Sequence, residues 1–394
     1  MREREIGMKQ IIGLLCAVGL AMVGAGASAG GIDRAFLDAL LRIRSETMDV
    51  KTCNSCLDFV KTRLESRGLR CSVFTKANGR KALYAATTPG LEHDYVFVSH
   101  VDVVPACDES QYVPRIDGDM LWARGACDTK GNVASICAAL ESLAGTDASV
   151  GLVIVTDEEN GDGLVGSPKV LRDAGVRPRK FILVGDSAGE EPDQLFVAEK
   201  GHAKIKLVAH GRGGHSSRPW ALDNPVPKLC AAWVKVQAAL PVPDDPNEHW
   251  RDVLSPTVLV GGPRDNVIPD TAEMMMSFRY TSPDSLTKML ALLREKSGVE
   301  VVPPVADHRV PVLNRPDDPE IASLFAAMKA KWPQMRQGKM SAATDATYFA
   351  DLGVPIVIFA ATGTGSHGAD ERISLKSLDE YADFFASYFA AHGR

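Results

Sequence analysis

Short apolar runs that end on charged side chains constrain this chain more than any other feature of its sequence. "DYVFVSH", "GLVIVTDEE" and "KFILVGDS" are rich in Val and Ile, as expected of strands buried on both faces of a sheet. Helical stretches such as "GNVASICAALESLAG" alternate with such runs, so the order predicts an α/β fold whose sheet is sandwiched between helices. A buried strand gains nothing from ending on a charge, so these end residues require an explanation.

The charged side chains fall where the predicted strands of the sheet stop, or just beyond. They are His100, Asp102, Asp128 in the turn "RGACDTKGN", Glu158, Glu159, Asp186 and His367. Ligands of open α/β sheets bind outside the carboxyl ends of the strands, so we expect these groups to converge on one rim. Buried carboxylates repel one another and are costly to desolvate, so such a cluster requires cations. Mixed imidazole and carboxylate ligands suit zinc, with manganese or cobalt as substitutes, and five ligands suit two metals that share a bridging carboxylate.

The local spacings predict a division of labour within this cluster. Asp102 lies two residues after His100 and is expected to accept the second ring N–H of that histidine, which would fix its tautomer. The neighbours Glu158 and Glu159 cannot both point the same way, so one is expected to bind metal while the other holds a water molecule. Each motif alone has an ordinary explanation, such as a solvated acidic loop or, for Asp128, a helix N-cap. The combination at successive strand ends favours a site.

The hydrophobic pattern changes in the middle of the chain, which predicts a second domain. "HAKIKLVAHG" alternates polar and apolar residues, as a strand with one wet face does. The predicted order from there is β-α-β-β-α-β, the ferredoxin-like pattern. We therefore predict a smaller domain at 201–310 inserted into a larger domain formed by 30–200 and 311–394.

The first residues have the order typical of a secretory signal peptide. An apolar run, "IIGLLCAVGLAMVGA", follows Lys9 and precedes the small residues "ASA", which predicts a signal at 1–29 and an exported mature protein. An uncleaved anchor is the alternative, and translation could start at Met1 or Met8. Removal of the signal would leave no stable membrane association.

Composition argues against nucleic acid as a partner and does not determine how the cysteines pair. The net charge of −6, without a basic run, gives no footprint for nucleic acid. Seven cysteines would remain after cleavage, an odd number, so at least one stays unpaired within the chain. The "CNSC" at Cys53–Cys56 predicts a disulfide or buried thiols rather than a zinc knuckle.

Taken together, these segments resemble the di-zinc peptidases and deacylases that include glutamate carboxypeptidase, acetylornithine deacetylase, succinyl-diaminopimelate desuccinylase and carboxypeptidase S. The resemblance covers nearly the whole mature chain. It is carried, in order, by "SHVDVVPA", "LWARGACDTKGN", "TDEENGDG", "GRGGHSSRP", "RDNVIPDTAEMMMSFRY" and "TDATYF". One departure is Asp186-Ser187, where many relatives have Glu-Pro. The implied fold is the two-domain one, with the insert as lid and as the surface of a homodimer.

The resemblance also implies roles for individual residues. Asp128 would bridge two zinc ions, with His100 and Asp186 completing one site and Glu159 and His367 the other. Glu158 would be the general base, and Asp102 would orient His100. On the lid, His215 would steady the oxyanion in the active site of the partner subunit, while Asn266 and Arg279 would bind substrate, Arg279 through a carboxylate.

Substrate class is predicted from the signal segment rather than from pocket residues. An exported enzyme meets small peptides and N-acyl amino acids, which favours a carboxypeptidase-like exopeptidase or amidohydrolase. The alternative is a biosynthetic deacylase of the acetylornithine deacetylase or succinyl-diaminopimelate desuccinylase type. A mononuclear zinc enzyme and a non-catalytic binding protein are further alternatives, although all the expected ligand and base positions carry competent side chains.

Overall fold

The computed structural model describes residues 31–159, 167–186, 193–241, 245, 248–304 and 308–393, so the predicted signal at 1–29 lies outside the described residues. The described helices are α1 (Arg34–Arg42), α2 (Val50–Ser66), α3 (Gly131–Leu143), α4 (Ser167–Asp173), α5 (Pro225–Ala239), α6 (Ser285–Lys296), α7 (Pro319–Lys331) and α8 (Leu375–His392). None of the helices within these ranges has the length and apolar character needed to cross a membrane.

The described strands form one sheet of nine strands, two sheets of four strands and one of two. In chain order they are β1 (Arg70–Thr75), β2 (Lys81–Ala86), β3 (Glu92–His100), β4 (Arg115–Asp117), β5 (Met120–Trp122), β6 (Val150–Val155), β7 (Arg177–Val184), β8 (Gln194–Glu199), β9 (Gly201–His210), β10 (Gly214–His215), β11 (Val253–Val260), β12 (Val267–Ile268), β13 (Thr271–Tyr280), β14 (Glu300–Val302), β15 (Val312–Leu313), β16 (Arg336–Met340), β17 (Ile356–Ile358), β18 (Gly363–Thr364) and β19 (Arg372–Ser374).

The larger sheet is mixed and confirms the predicted α/β class. Its strand order is β1-β2-β6-β3-β7-β17-β8-β15, with β16 paired to β8. The strands β6, β3, β7 and β17 run parallel, whereas β2 and β8 run antiparallel to them; β1 and β15 then pair antiparallel with β2 and β8. The carboxyl ends of β3, β6 and β7 therefore lie at one edge of the sheet, where the polar residues follow.

Apolar side chains cover both faces of this sheet. One core joins it to α1, α2, α3, α7 and α8, with the aromatic rings of α8, such as Phe385 and Phe389, packed on Phe97. A second core on the other face includes Val96, Val98 and Phe349. Strands buried on both faces explain the continuous apolar runs in the sequence.

Several of the helices are preceded by a polar residue whose side chain caps the first turn. The side chain of Asp33 accepts hydrogen bonds from the main-chain N–H groups of Ala35 and Phe36, and so caps α1. Asn224 and Asp318 cap α5 and α7 in the same way, each followed by a proline at the first helical position. These caps satisfy N–H groups that have no partner within the helix.

The second sheet is built from residues 201–302, which we call the insert. Its strand order is β11-β13-β9-β14, the order of a ferredoxin-like β-α-β-β-α-β unit. One face packs on α5 and α6 around Ile205, Met276 and Phe278. The other face carries the polar residues that alternate with them, which explains the pattern of "HAKIKLVAHG".

Two neighbouring chain segments connect the insert to the larger sheet. Only Lys200 separates β8 from β9, and on the return path Val312 pairs with Glu199 of β8. Between these points, His202 and Arg309 exchange two main-chain hydrogen bonds of 2.7 and 3.0 Å. The entering and leaving segments therefore form one two-stranded ribbon, which we call the connecting ribbon.

The cysteines of the "CNSC" motif are buried thiols and do not form a disulfide. Cys53 and Cys56 lie on the inner face of α2, with the Cys53 thiol donating to the main-chain carbonyls of Ser45 and Glu46. Burial raises the pKa of the Cys53 thiol to about 12, which keeps it protonated and unreactive. The motif therefore has a packing role.

Candidate metal-hydrolase site

Histidine and carboxylate side chains from three strand ends and two loops meet at the carboxyl edge of the larger sheet. His100 ends β3 and is 1% exposed. Its Nε2 lies 3.2 Å from Oδ1 of Asp128 and 3.6 Å from Oδ2 of Asp186, which follows β7. The three groups form one half of the site.

Asp128 also faces a second histidine. Its Oδ2 lies 3.2 Å from Nε2 of His367, and the same nitrogen lies 3.1 Å from the carboxylate of Glu159. Each oxygen of Asp128 therefore points at a different imidazole. His100 and Asp186 could therefore hold one cation and Glu159 and His367 a second, with Asp128 offering one oxygen to each.

The turn that carries Asp128 requires glycine on both sides. Gly125 has φ +79°, and a Cβ there would lie 2.8 Å from Val103. A Cβ on Gly131 would lie 2.2 Å from the main-chain oxygen of Ala126, which no side chain can tolerate. The Asp128–Thr129 peptide bond is cis. The glycines of "RGACDTKGN" are thus what lets the chain bring Asp128 between the two histidines.

The donor set fits metal ions. His100, Asp128 and Glu159 each offer a ligand atom within 4.8 Å of the others. The Nε2 atom of His100 is buried and makes no hydrogen bond of good geometry, although it faces two carboxylates. A buried imidazole nitrogen left in that position is well placed as a ligand, and imidazole with carboxylate suits zinc and similar divalent ions.

The electrostatics of the cluster show how strongly it attracts positive charge. Burial acts to lower the pKa of His100, but the carboxylates of Asp102, Asp128 and Asp186 outweigh it and raise that pKa well above its usual value. Hydrogen bonds to Asp128 and Glu159 raise the pKa of His367 to about 10. Protons on the imidazoles thus offset the carboxylate charge, and a metal ion binding here would displace them.

Asp102 is fully buried beneath His100, but its contacts differ from the expected ones. The ring Nδ1 of His100 lies 3.0 Å from the main-chain oxygen of Asp102 and 3.5 Å from its carboxylate. The two carboxylate oxygens instead accept the main-chain N–H groups of Glu158 and Glu159, at 3.2 and 3.1 Å. The strand ends at His100, and the side chain of Asp102 turns toward the loop after β6. Asp102 therefore fixes that loop as well as the ring of His100.

Glu158 and Glu159 diverge as predicted from their adjacency. Glu159 turns to His367, whereas Glu158 forms an ion pair with Arg309, with Nη1 2.7 Å from Oε1. Burial raises the pKa of Glu158 above its usual value, against the effect of the Arg309 charge. A carboxylate whose pKa is raised accepts a proton more readily than an exposed glutamate does, which suits a general base.

Comparison with known proteins agrees with this geometry. Residues 96–391 match the sequence profile of peptidase family M20/M25/M40. The chain belongs to this family. It is therefore a metal-dependent hydrolase that acts on peptide or amide bonds.

Individual relatives are distant but aligned over most of their length. A succinyl-diaminopimelate desuccinylase of Methylocella silvestris is 28% identical over 334 residues, covering 78% of this chain and 85% of that protein. The M20 family metallo-carboxypeptidase Sso-CP2 of Sulfolobus solfataricus superposes with a TM-score of 0.72 at 15% identity, over 91% of this chain and 99% of that one. The YXEP protein of Bacillus subtilis, a dinuclear metal binding peptidase of the family, gives 0.61 at 16% identity, over 91% and 98%.

The lid residues predicted for this M20 hydrolase lie on the insert and differ in their exposure to solvent. His215 and Asn266 are exposed, and the ring of His215 accepts from Ser217 at 2.9 Å. Arg279 is half-buried on the polar face of β13, directly opposite His202. Burial lowers the pKa of the Arg279 guanidinium, and the charge of Arg309 acts in the same direction while that of Glu158 opposes it. The roles of these three residues stay predictions.

Sequence analysis missed a buried ion pair that braces two candidate ligands of the M20 site. Oε1 of Glu371 accepts the main-chain N–H groups of Cys127 and Asp128, at 3.0 and 3.1 Å. Its partner Arg124 donates to the main-chain oxygen of His367 at 3.2 Å. The pair thereby holds the Asp128 turn against the His367 loop. Arg124 lies inside the quoted motif "LWARGACDTKGN", and Glu371 follows His367 by four residues, so their charge beside glycine turns was the available signal.

Removing the acceptor of this pair should destabilise the protein strongly. Glu371→Gln leaves Arg124 buried without a counter-charge and turns an amide N–H toward main-chain donors, so the free energy of unfolding should fall by about 3–5 kcal/mol. Urea unfolding measures this. Glu109→Gln, which breaks a largely exposed pair with Arg44, is the control and should change stability by less than about 1 kcal/mol. Equal losses in the two variants would contradict the bracing role.

A second missed group is the fully buried Glu199 at the end of β8. Its Oε2 accepts from the main-chain N–H and the hydroxyl of Thr344, at 3.1 and 2.8 Å, in the "TDATYF" motif. Burial raises the pKa of Glu199 to about 8. The neighbouring Asp345 is also buried, and burial raises its pKa well above the usual value.

Glu199 should make stability fall as the pH rises. Between its ordinary pKa of 4.5 and about 8, the folded chain holds a proton that the unfolded chain has lost. The free energy of unfolding should therefore fall by up to about 1.4 kcal/mol per pH unit in that window. Glu199→Gln keeps an acceptor for Thr344 but does not titrate, so it should equal the wild type near pH 4.5 and exceed it above pH 8. Urea unfolding across this range tests the difference, and parallel curves would contradict it.

Proposed function

We propose that the protein hydrolyses the linear amide bond of an N-acyl amino acid, as a deacylase of the succinyl-diaminopimelate desuccinylase type. The observation that carries the hydrolytic part is the Asp128 carboxylate shared between two imidazoles, one of which also contacts Glu159, the chain neighbour of Glu158. The substrate class is supported by the desuccinylase relative described above. That relative favours the deacylase alternative over the exopeptidase preferred from sequence.

The proposed ligands divide into two sets around Asp128. His100 and Asp186 would hold one zinc ion, and Glu159 and His367 the other, with cobalt or manganese as substitutes. When bound, such metals acidify water and polarise the amide carbonyl of the substrate. Asp102 would support both sets, since it orients the ring of His100 and fixes the main chain of Glu158 and Glu159.

Glu158 is the proposed general base. Its carboxylate would take a proton from the attacking water and pass it to the nitrogen of the leaving amine. A base at this point needs a pKa near the working pH, and burial raises that of Glu158. His215, from a second subunit, would stabilise the negative charge that develops on the carbonyl oxygen.

Anionic groups of the substrate would meet Arg279 on the polar face of the insert, with Asn266 as a further contact. His202 lies opposite Arg279 in the sheet, and burial together with the charges of Arg279 and Arg309 lowers the pKa of His202 to about 3. The imidazole is then neutral, and the Arg279 guanidinium keeps a positive charge on this face, whereas that of Arg309 is paired with Glu158. Such a face suits a substrate that carries carboxylates.

A homodimer through the insert is part of the proposal. Strand β11 lies at the edge of its sheet and exposes Val258, Leu259 and Val260, each about half exposed. An exposed apolar edge strand is a ready surface for pairing with another chain. The dimer would place His215 near a partner's site.

An exported exopeptidase is the second candidate, favoured by the signal-like segment "IIGLLCAVGLAMVGA". In that case the enzyme would be periplasmic or secreted and would act on small peptides. Localisation of the full-length chain, with N-terminal sequencing of the exported fraction, tests this part. A mature chain that begins near Gly30 would support export.

A substrate panel separates the two candidates. The zinc-loaded protein would be assayed with N-succinyl-LL-diaminopimelate, N-acetylornithine, other N-acyl amino acids and a set of dipeptides. The proposal expects the highest kcat/KM for an N-acyl substrate with a free carboxylate on the acyl chain. A clear preference for dipeptides would favour the exopeptidase, and no turnover of any amide would contradict both.

A further inference from the structure

Three paired residues form a row that runs from the polar face of the insert into the connecting ribbon. Arg279 of β13 pairs with His202 of β9, and His202 pairs in turn with Arg309. Directly opposed residues of antiparallel strands project to the same face, so the three side chains share one surface. At the end of this row, the guanidinium of Arg309 turns away from the insert and contacts Glu158.

Arg309 contacts Glu158 at two points. Its Nη1 donates to Oε1 of Glu158 at 2.7 Å and to the main-chain oxygen of Ala343 at 2.7 Å. Its Nη2 donates to the main-chain oxygen of Glu158 at 3.2 Å and lies 3.6 Å from Asp345. The guanidinium thus holds both the carboxylate and the peptide group of one residue, which fixes the side chain relative to its own backbone.

The main chain of Arg309 lies in the connecting ribbon and is bonded to the insert. His202 binds it through two hydrogen bonds, and the buried Tyr280 donates its hydroxyl to the main-chain oxygen of Arg309 at 2.8 Å. The ion pair with Glu158 is only 16% and 13% exposed, so solvent screens it little. A displacement of the insert would therefore move the guanidinium that holds Glu158.

We propose that Arg309 is a positioning residue that fixes the carboxylate of Glu158 and couples its orientation to the insert. The proposal rests on the proposed function, in which Glu158 is the general base. Planar, forked donors make the double contact possible, and a lysine ammonium could replace only part of it. Arg309 lies in "ADHRVPVL", which contains no recognised motif, so nothing in the sequence marked it.

The test is steady-state kinetics on the zinc-loaded protein with the substrate identified by the panel. Arg309→Gln should lower kcat by about 10- to 100-fold, since misplacing a reacting group costs rate. KM should change by less than about twofold, because the interaction acts on the base and not on the bound substrate. Arg309→Lys should recover part of the loss. Arg63→Gln, which breaks a similarly buried pair with Glu141 on α3, is the matched control and should leave kcat unchanged.

Two further measurements separate positioning from damage to the fold. In a Glu158→Gln background, Arg309→Gln should cause no additional loss of residual activity, because Arg309 acts through Glu158. Tyr280→Phe, which removes one bond to the main chain of Arg309, should lower kcat a few-fold in the wild type and not in the Glu158→Gln background. Metal content should stay at the wild-type value in all variants.

The outcomes distinguish this proposal from the proposed function. A Glu158→Gln variant with near-normal turnover would remove the base, and with it the proposed function. An inactive Glu158→Gln variant beside an Arg309→Gln variant with normal kcat would overturn the positioning role alone. An equal loss from Arg309→Gln in both backgrounds would also overturn it, since Arg309 would then act independently of Glu158.

Discussion

Glu158→Gln is expected to lower kcat by about 10²- to 10⁴-fold while metal content stays at the wild-type value. Glutamine has the shape of glutamate and can still accept the hydrogen bond from Arg309, but it cannot take a proton. The side chain of Glu158 contacts Arg309, whereas that of its neighbour Glu159, the candidate ligand, contacts His367. The measurements are kcat with the panel substrate and metal per chain by elemental analysis.

The matched control for this substitution is Glu141→Gln. Glu141 forms an ion pair with Arg63 in which its side chain is 14% exposed, compared with 13% for Glu158, but it lies on α3 and not in the cluster. The control should retain wild-type kcat. If Glu158→Gln lost its metal as well as its activity, the assignment of base and ligand to Glu158 and Glu159 would have to be reversed.

Asp128→Asn is expected to have the other large effect, the loss of most bound metal together with activity. Each oxygen of Asp128 faces one histidine, at 3.2 Å in both cases, so a single substitution weakens both halves of the site. Loss of metal catalysis is worth several kcal/mol, so kcat/KM should fall by roughly 10³-fold or more. Metal content and kcat/KM would be measured on the same preparation.

Asp94→Asn controls for the removal of a buried carboxylate as such. Asp94 is buried and pairs with Arg179 and Lys180, away from the cluster. It should keep full metal content. An Asp128→Asn variant that lost one metal and kept the other would contradict a bridging role and support two unequal ligands instead.

The candidate metal cluster could be predicted because its residues follow parallel strands. The runs before His100, Glu158 and Asp186 are continuously apolar, so their buried, parallel setting follows from sequence, and parallel strands end at one edge. Asp128 and His367 reach that edge from loops. For them the sequence offered glycine-rich turns, and the resemblance supplied the roles.

Other features depend on contacts between distant segments and carried no local signal. The partner of Glu158 is Arg309, 151 residues away. The expected bond from the carboxylate of Asp102 to His100 rested on ideal strand geometry, but the chain leaves the strand after His100 and presents a main-chain oxygen instead. Short strands such as β15 and β18 have too few residues for a pattern to identify reliably.

The connecting ribbon gives the insert a hinge with a preferred axis. Two hydrogen-bonded segments side by side resist shearing and bending within their common plane, but they flex easily perpendicular to it. We therefore expect the insert to rotate about one axis, toward and away from the candidate metal cluster, with little lateral displacement. Every substrate that enters or leaves would then pass through a gap whose width a single angle controls.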